Sequence, residues 1–219
     1  MKKNIRSLAQ ISAAGVGLMA SLNPSHSQEF YFNAGAGVSL ADDVDLKRFF
    51  GPTGGAKMEF DPGVRFSVGG GYNFCPYMGI EAETGFIYNS VKGVNSFGNF
   101  DGSLSHVPMM INAVFRYDQP DCKWVPYAGA GLGGDTSVIG LENAVGNGVI
   151  ADGSEATVVF AWQAFAGVGY RFNERMSLGA GYKYYWADSA TWDFAGFTDS
   201  IKSGRASVHS IQAVFTMKF

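Results

Sequence analysis

Charge is scarce in this sequence. Only 16% of its 219 residues are Asp, Glu, Lys or Arg, against about a quarter in an ordinary globular chain. Sixteen Lys and Arg stand against nineteen Asp and Glu. No basic excess exists to neutralise phosphates, which argues against nucleic-acid binding. Long apolar runs are missing too: beyond residue 27 no stretch approaches the ~18 residues of a transmembrane helix. Cysteine is limited to Cys75 and Cys122 and histidine to three residues, too few and too scattered for a zinc site. No phosphate loop, paired-carboxylate site or nucleotide motif is present, so no cofactor is expected. What the chain does have is 15% aromatics and 30 glycines, the latter about twice the usual ~7%. Such aromatic content excludes a disordered tail protein and points to a β-protein facing something other than water.

The N-terminus reads as an address. Lys2, Lys3 and Arg6 precede a mostly apolar stretch from Leu8 to Leu22. Pro24 breaks a helix, and Ser25 and Ser27 suit the positions that signal peptidase reads, so cleavage is expected between Ser27 and Gln28. The alternative, a membrane anchor, is disfavoured by Gln10 and Ser12 within the run. Residues 1–27 are thus assigned as signal peptide and 28–219 as one β-domain. Cleavage removes three cations and no acid, taking the formal net charge from -3 to -6.

Period-2 alternation recurs in eight segments: 29–40, 64–74, 79–88, 107–117, 124–133, 158–172, 177–186 and 207–219. Most are near the ~9–11 residues with which a tilted strand crosses a bilayer. Forty positions of one parity, five per segment, include sixteen aromatics and no charge. Phe66, Val68, Tyr72 and Phe74 are typical. The other parity holds Asn33, Ser67, Glu81, Glu83, Asn112, Gln163, Lys183 and Gln212 among many glycines. An eight-stranded barrel has room inside for its own lumen side chains and little else, so sixteen aromatics would overfill it. The apolar face therefore points outward, and lipid is the solvent that tolerates it. Tyr72, Phe74, Phe115, Trp124, Tyr170 and Phe219 fall at one set of strand ends, and Phe86, Tyr88, Trp162, Tyr184 and Trp186 toward the other. Two aromatic girdles are expected of an outer-membrane barrel. A soluble lipocalin-like barrel with an apolar lumen is the alternative.

Connections alternate between short turns near 75–78, 118–123 and 173–176 and long polar segments near 41–63, 89–106, 134–157 and 187–206. Short periplasmic turns and four long outer loops follow. Asn95–Asn99 and Ala151–Glu155 typify the loops.

Several stretches resemble small outer-membrane barrels of the opacity-protein and surface-antigen type, the outer membrane protein β-barrel domain family. They are Pro126-Tyr127-Ala128-Gly129-Ala130-Gly131-Leu132-Gly133, Gly79–Glu83, Val107–Asn112 and Ala166–Phe172. The terminal Phe219, with Met217, Phe215, Ala213 and Ile211 alternating before it, is similar to the signal read by the outer-membrane assembly machinery. The resemblance spans about residues 29–219. It implies an all-β, eight-stranded antiparallel up-and-down barrel in the cell outer membrane, expected as a monomer. It further implies contact with outer-membrane lipids and lipopolysaccharide and with an extracellular or host ligand through the loops. The family includes adhesins and surface antigens, so a non-enzymatic surface role is expected, with a passive pore as the alternative.

The inward charges are Arg65, Glu81, Glu83, Arg116, Arg171, Lys183 and Lys218. Unpaired, they would be costly in a narrow lumen, so a salt-bridge cluster plugging the periplasmic half is expected. A charged constriction in a pore is the alternative. Cys75 and Cys122 lie in short turns flanking one hairpin. In an exported protein they are candidates for a disulfide closing a 47-residue loop, provided their Cα atoms come within ~7 Å; free thiols are the alternative. Ser207 and His209 share the outward face of the last segment, with Asp42 nearby on barrel closure. That grouping is the one candidate for an outer-leaflet lipid hydrolase, although it reverses the residue order of the lipid A deacylases. The other reading is a polar fringe at headgroup level. His106 shows no Ser or carboxylate in register.

Overall fold

The structure is a computed structural model. It describes residues 29–49, 51, 53, 55–75, 77–94, 101–119, 121–146, 149–194 and 200–219, with the backbone alone for Cys75, Asp101, 143–146 and 149–152. The expected cleavage site and the loop tip 95–99 lie outside the described residues.

Among the described residues twelve strands follow in order: β1 (Glu29–Ala41), β2 (Val44–Phe49), β3 (Lys57–Phe60), β4 (Gly63–Cys75), β5 (Met78–Val94), β6 (Asp101–Arg116), β7 (Trp124–Gly146), β8 (Val149–Arg171), β9 (Met176–Ala187), β10 (Thr191–Trp192), β11 (Ile201–Ser203) and β12 (Ala206–Lys218). Eight of them, β1, β4, β5, β6, β7, β8, β9 and β12, pair antiparallel in that order, and β12 returns to β1 to close a ring. Each alternating segment of the sequence falls on one of these strands.

Strand pleat sorts the side chains. Phe66, Leu132 and Ile211 stand outward, more than half exposed, while Arg65 and Gln163 on the other parity are wholly buried inside. Trp124, Phe172, Tyr117, Tyr77 and Phe219 are exposed at the short-turn rim, and Phe86, Tyr88 and Trp162 toward the opposite end. Neighbouring rings pair across strands, as Trp124 does with Tyr170 at 5.1 Å and Trp162 with Tyr184 at 5.4 Å. The inward glycines make room for large rings. A Cβ at Gly71 would fall on the Tyr31 ring, and one at Gly167 or Gly181 on the Tyr127 hydroxyl.

One seam of the wall is imperfect. Between β5 and β6 the ladder runs to Thr84–Met109 and resumes at Ile87–His106. Pro108 sits in the gap and has no N–H to donate. Thr84, on the lipid-facing parity, donates its hydroxyl to the Pro108 carbonyl at 2.9 Å. In hydrocarbon every backbone polar group must be satisfied within the protein, which explains a hydroxyl at this position.

The outer half differs from the sequence expectation. The spans 89–106 and 134–157 are largely ladder rather than loop, because β5 and β6 pair out to Val91–Gly102 and β7 and β8 to Gly146–Val149. Inward parity continues there through Leu104, Ile139 and Leu141, which are buried. Ser90, Ser103, Ser105, Gly140 and Ser154, which read as loop, occupy the outward parity. The spans 41–63 and 187–206 contribute β2, β3, β10 and β11. These form a tier ordered β8-β7-β6-β5-β3-β2-β11-β10, in which the four short pieces stand above β4, β1, β12 and β9. A dry core of Leu46, Phe49, Met58, Ile139, Trp192 and Ile201 fills it. Each such side chain contributes about 1.5–3 kcal/mol by leaving water, so the cap is a packed body.

Candidate functional site

The lumen is crossed by a brace built from six strands. Glu83 on β5 is its centre. Lys183 Nζ on β9 donates to Glu83 Oε1, and Arg65 Nη2 on β4 stands 3.6 Å from the same oxygen. Gln163 on β8 donates to Glu83 Oε2 at 3.2 Å and to Asn112 Oδ1 at 2.9 Å. Asn112 on β6 donates to Glu83 Oε2 at 3.0 Å and Glu81 Oε1 at 3.1 Å. Asn33 on β1 donates to the other Glu81 oxygen, and Arg65 donates to Gln163 Oε1 at 3.0 Å. On β7, Gly131 leaves the space that Asn112 fills. Two carboxylates and two cations make the brace formally neutral, and the amides donate to both carboxylates, while Arg65 Nε and Nη1 have no hydrogen-bond partner among the described residues.

The other predicted lumen charges lie elsewhere. Arg116 rests over the Tyr31 ring at 4.1 Å. Arg171 and Lys218 both hold Asp118, at 2.9 and 2.6 Å, and Lys218 also holds Glu29 at 2.8 Å. Arg171 further donates to the carbonyls of Gln119 and Cys122 at 2.6 and 2.7 Å. The expected single cluster is therefore two: a brace across the lumen, and a clamp tying the 117–123 turn to the short-turn rim. A cavity of about 60 Å³ lies between them, lined by Arg116, Tyr127 and Gln212. Among the described residues Tyr127 Oη and Gln212 Nε2 have no hydrogen-bond partner, which suits a few waters.

Above the brace the lumen stays closed. His106 Nδ1 on β6 meets Asp135 Oδ2 on β7 at 2.6 Å, both buried. Ser137, in the next inward place on β7, pairs with His106 in register. These partners correct the sequence reading of His106, which had placed 134–157 in a loop. Trp192 Nε1 donates to the Ser137 carbonyl at 3.0 Å, pinning β10 over the opening.

Outside the barrel, His209 joins Asp42 at 3.5 Å through Nε2 and the Tyr182 hydroxyl at 2.6 Å through Nδ1. The Tyr184 hydroxyl donates to Ser207 Oγ at 3.2 Å. Both imidazole nitrogens are engaged away from Ser207, so the contact between nucleophile and base that hydrolysis needs is not made. The cluster sits among girdle aromatics, as a headgroup-level fringe would. Cys122 is a free thiol, and the Cys75 side chain lies outside the described residues. Among the described residues no group of His, Cys, Asp and Glu is arranged to hold a metal ion.

A family model described as outer membrane protein beta-barrel domain matches residues 11–219. Among solved structures the chain is similar to neisserial surface protein A, at 17% identity and a TM-score of 0.56, covering 87% of this chain and 97% of that one. It is similar to OprG from Pseudomonas aeruginosa at 15% identity and a TM-score of 0.60, covering 89% and 98%. It is also similar to the outer membrane protein AlkL in lipid bilayers, at 14% identity and a TM-score of 0.50, covering 91% and 94%. At these identities the likeness concerns the fold. No curated protein matches.

Proposed function

Because the chain belongs to the outer membrane protein beta-barrel domain family and so resides in the cell outer membrane, we propose that it acts there as a non-enzymatic surface protein. The braced barrel anchors a rigid outer cap that contacts the surroundings. The observation carrying this reading is the double closure of the lumen. The neutral brace around Glu83 blocks it once, and the dry core beneath Trp192 blocks it again. A conduit would need neither a packed cap nor charges committed to one another. Neighbouring lipopolysaccharide meets the upper girdle, an extracellular or host ligand meets the cap, and Phe219 serves assembly into the membrane.

Planar-bilayer recording tests the closure, and the expected trace is silent. Reproducible conductance steps would overturn it in favour of a passive pore. Lipid A that loses acyl chains only when the protein is present would favour a hydrolase. Adhesion of producing cells to a host-cell monolayer, compared with cells whose protein lacks residues 42–62 and 188–205, tests the surface role; equal adhesion counts against it.

A further inference from the structure

The cavity between brace and clamp is crossed by a row of donors. Arg116, Tyr127, Gly167, Gly181 and Gln212 follow one another across β6, β7, β8, β9 and β12 as direct register partners. The two glycines bring the ends of the row together. A Cβ at either would stand 2.4 Å from Tyr127 Oη, so this hydroxyl lies over β8 and β9, one strand short of Gln212.

These donors lack acceptors. Tyr127 Oη and Gln212 Nε2 are buried and unpartnered among the described residues, and Gln212 is 3% exposed. Arg116 is 9% exposed. It rests on the Tyr31 ring and makes one long bond, 3.5 Å, to Asn73 Oδ1. Among the described residues it has no ion pair.

Charge is left over as well. In the brace Glu81 and Glu83 offset Arg65 and Lys183. In the clamp Asp118 and Glu29 offset Arg171 and Lys218. Glu174 and Arg175, exposed where the cavity reaches the last short turn, offset each other. Asp135 lies beyond the brace and holds His106. Glu81 is held by amides alone; whether its charge is set against the brace cations or against Arg116, one cation stays in excess. A buried cation without a partner is costly. Water would satisfy the donors and leave the charge, whereas one small anion does both. The cavity, about 60 Å³, holds several water-sized bodies at roughly 10–15 Å³ each, enough for a halide with water beside it.

We propose that this cavity binds a small monovalent anion of halide size, gripped by Arg116, Tyr127 Oη and Gln212 Nε2 and reached from the short-turn end past Glu174 and Arg175. Charge-assisted bonds from three strands would hold it, and it would couple β6 and β7 to β12 across the lumen. The site is independent of the surface-contact reading.

The probes are bromide and chloride. Crystals of the full protein grown in sodium bromide are expected to give an anomalous peak inside the cavity, in contact with all three donors. For the protein in lipid nanodiscs, the line width of chloride in ³⁵Cl NMR is expected to broaden saturably and to be competed by bromide. Tyr127→Phe keeps the ring over the two glycines and removes one donor. It should weaken binding at least about tenfold. Gln212→Glu supplies the missing negative charge from the protein itself. It should abolish the broadening while the folded barrel keeps its gel mobility and its urea midpoint. A cavity holding water alone, bromide peaks confined to Arg171, Arg175 or Lys218 at the rim, or broadening that survives both variants would overturn the site.

Discussion

Removing Glu83 is the sharpest test of the brace. The carboxylate is 5% exposed and is shared by two cations, the Lys183 ammonium and Arg65, which is itself fully buried. Glu83→Ala leaves both cations without their partner in the lumen. Breaking a buried pair from one side costs about 3–5 kcal/mol. The amides add little to this loss, because Gln163 keeps Asn112 as acceptor and Asn112 keeps Glu81. Lys183→Met should cost less, about 1–3 kcal/mol, because Glu83 then retains Arg65, Gln163 and Asn112. The double variant Glu83→Leu with Lys183→Met removes one charge of each sign and should recover the Lys183 part of the Glu83→Ala loss, with Arg65 still lacking its carboxylate. The measurement is urea unfolding of the vesicle-inserted protein, followed by tryptophan fluorescence and by the mobility shift between folded and unfolded barrel on gels. A Glu83→Ala loss below about 0.5 kcal/mol, the level of an inert surface change, would refute the argument. So would a Lys183→Met loss larger than that of Glu83→Ala.

Thr84→Val is isosteric on the lipid side yet removes the donor to the Pro108 carbonyl. It should destabilise by about 1–3 kcal/mol in the same unfolding assay, whereas adding Pro108→Ala should return part of that loss by restoring an N–H. Trp192→Ala empties a fully buried site and frees the Ser137 carbonyl. A cost of about 3–5 kcal/mol falls on the cap, so external protease should cut 188–205 faster while the gel shift of the barrel persists. Val68→Arg places a charge on the outward face at mid-wall and should cost about 2–4 kcal/mol; a neutral result would mean that this face does not meet hydrocarbon.

The wall of the barrel was legible in the sequence because its solvent is extreme. Lipid permits no charge on one parity, so Phe66, Val68 and Ile111 announce their side wherever they stand. The lumen was half legible. Glu81, Glu83, Arg65 and Lys183 are conspicuous as inward charges, but which of them meet depends on strand tilt and stagger, which no single segment encodes. Arg171 and Lys218 share inward parity and yet serve the rim. The cap was read as loop for a physical reason: outside the membrane the outward parity turns to Ser, Gly and Thr, so the lipid-facing half of the signal vanishes while Leu104, Ile139 and Leu141 continue the other half. That weaker alternation, inward apolar against outward small and polar, was the available clue to the His106–Asp135 pair as well.

The handover of strands above the upper girdle has a consequence for engineering. In a barrel with independent crown segments, one could be transplanted to a relative and carry its properties along. Here β2, β3, β10 and β11 are staves of a common upper wall around one dry interior. Exchanging the stretch after β1 alone would strip β11 of its neighbour β2 and expose Ile201, so chimeras of this protein should fold only when the stretches after β1 and after β9 travel together.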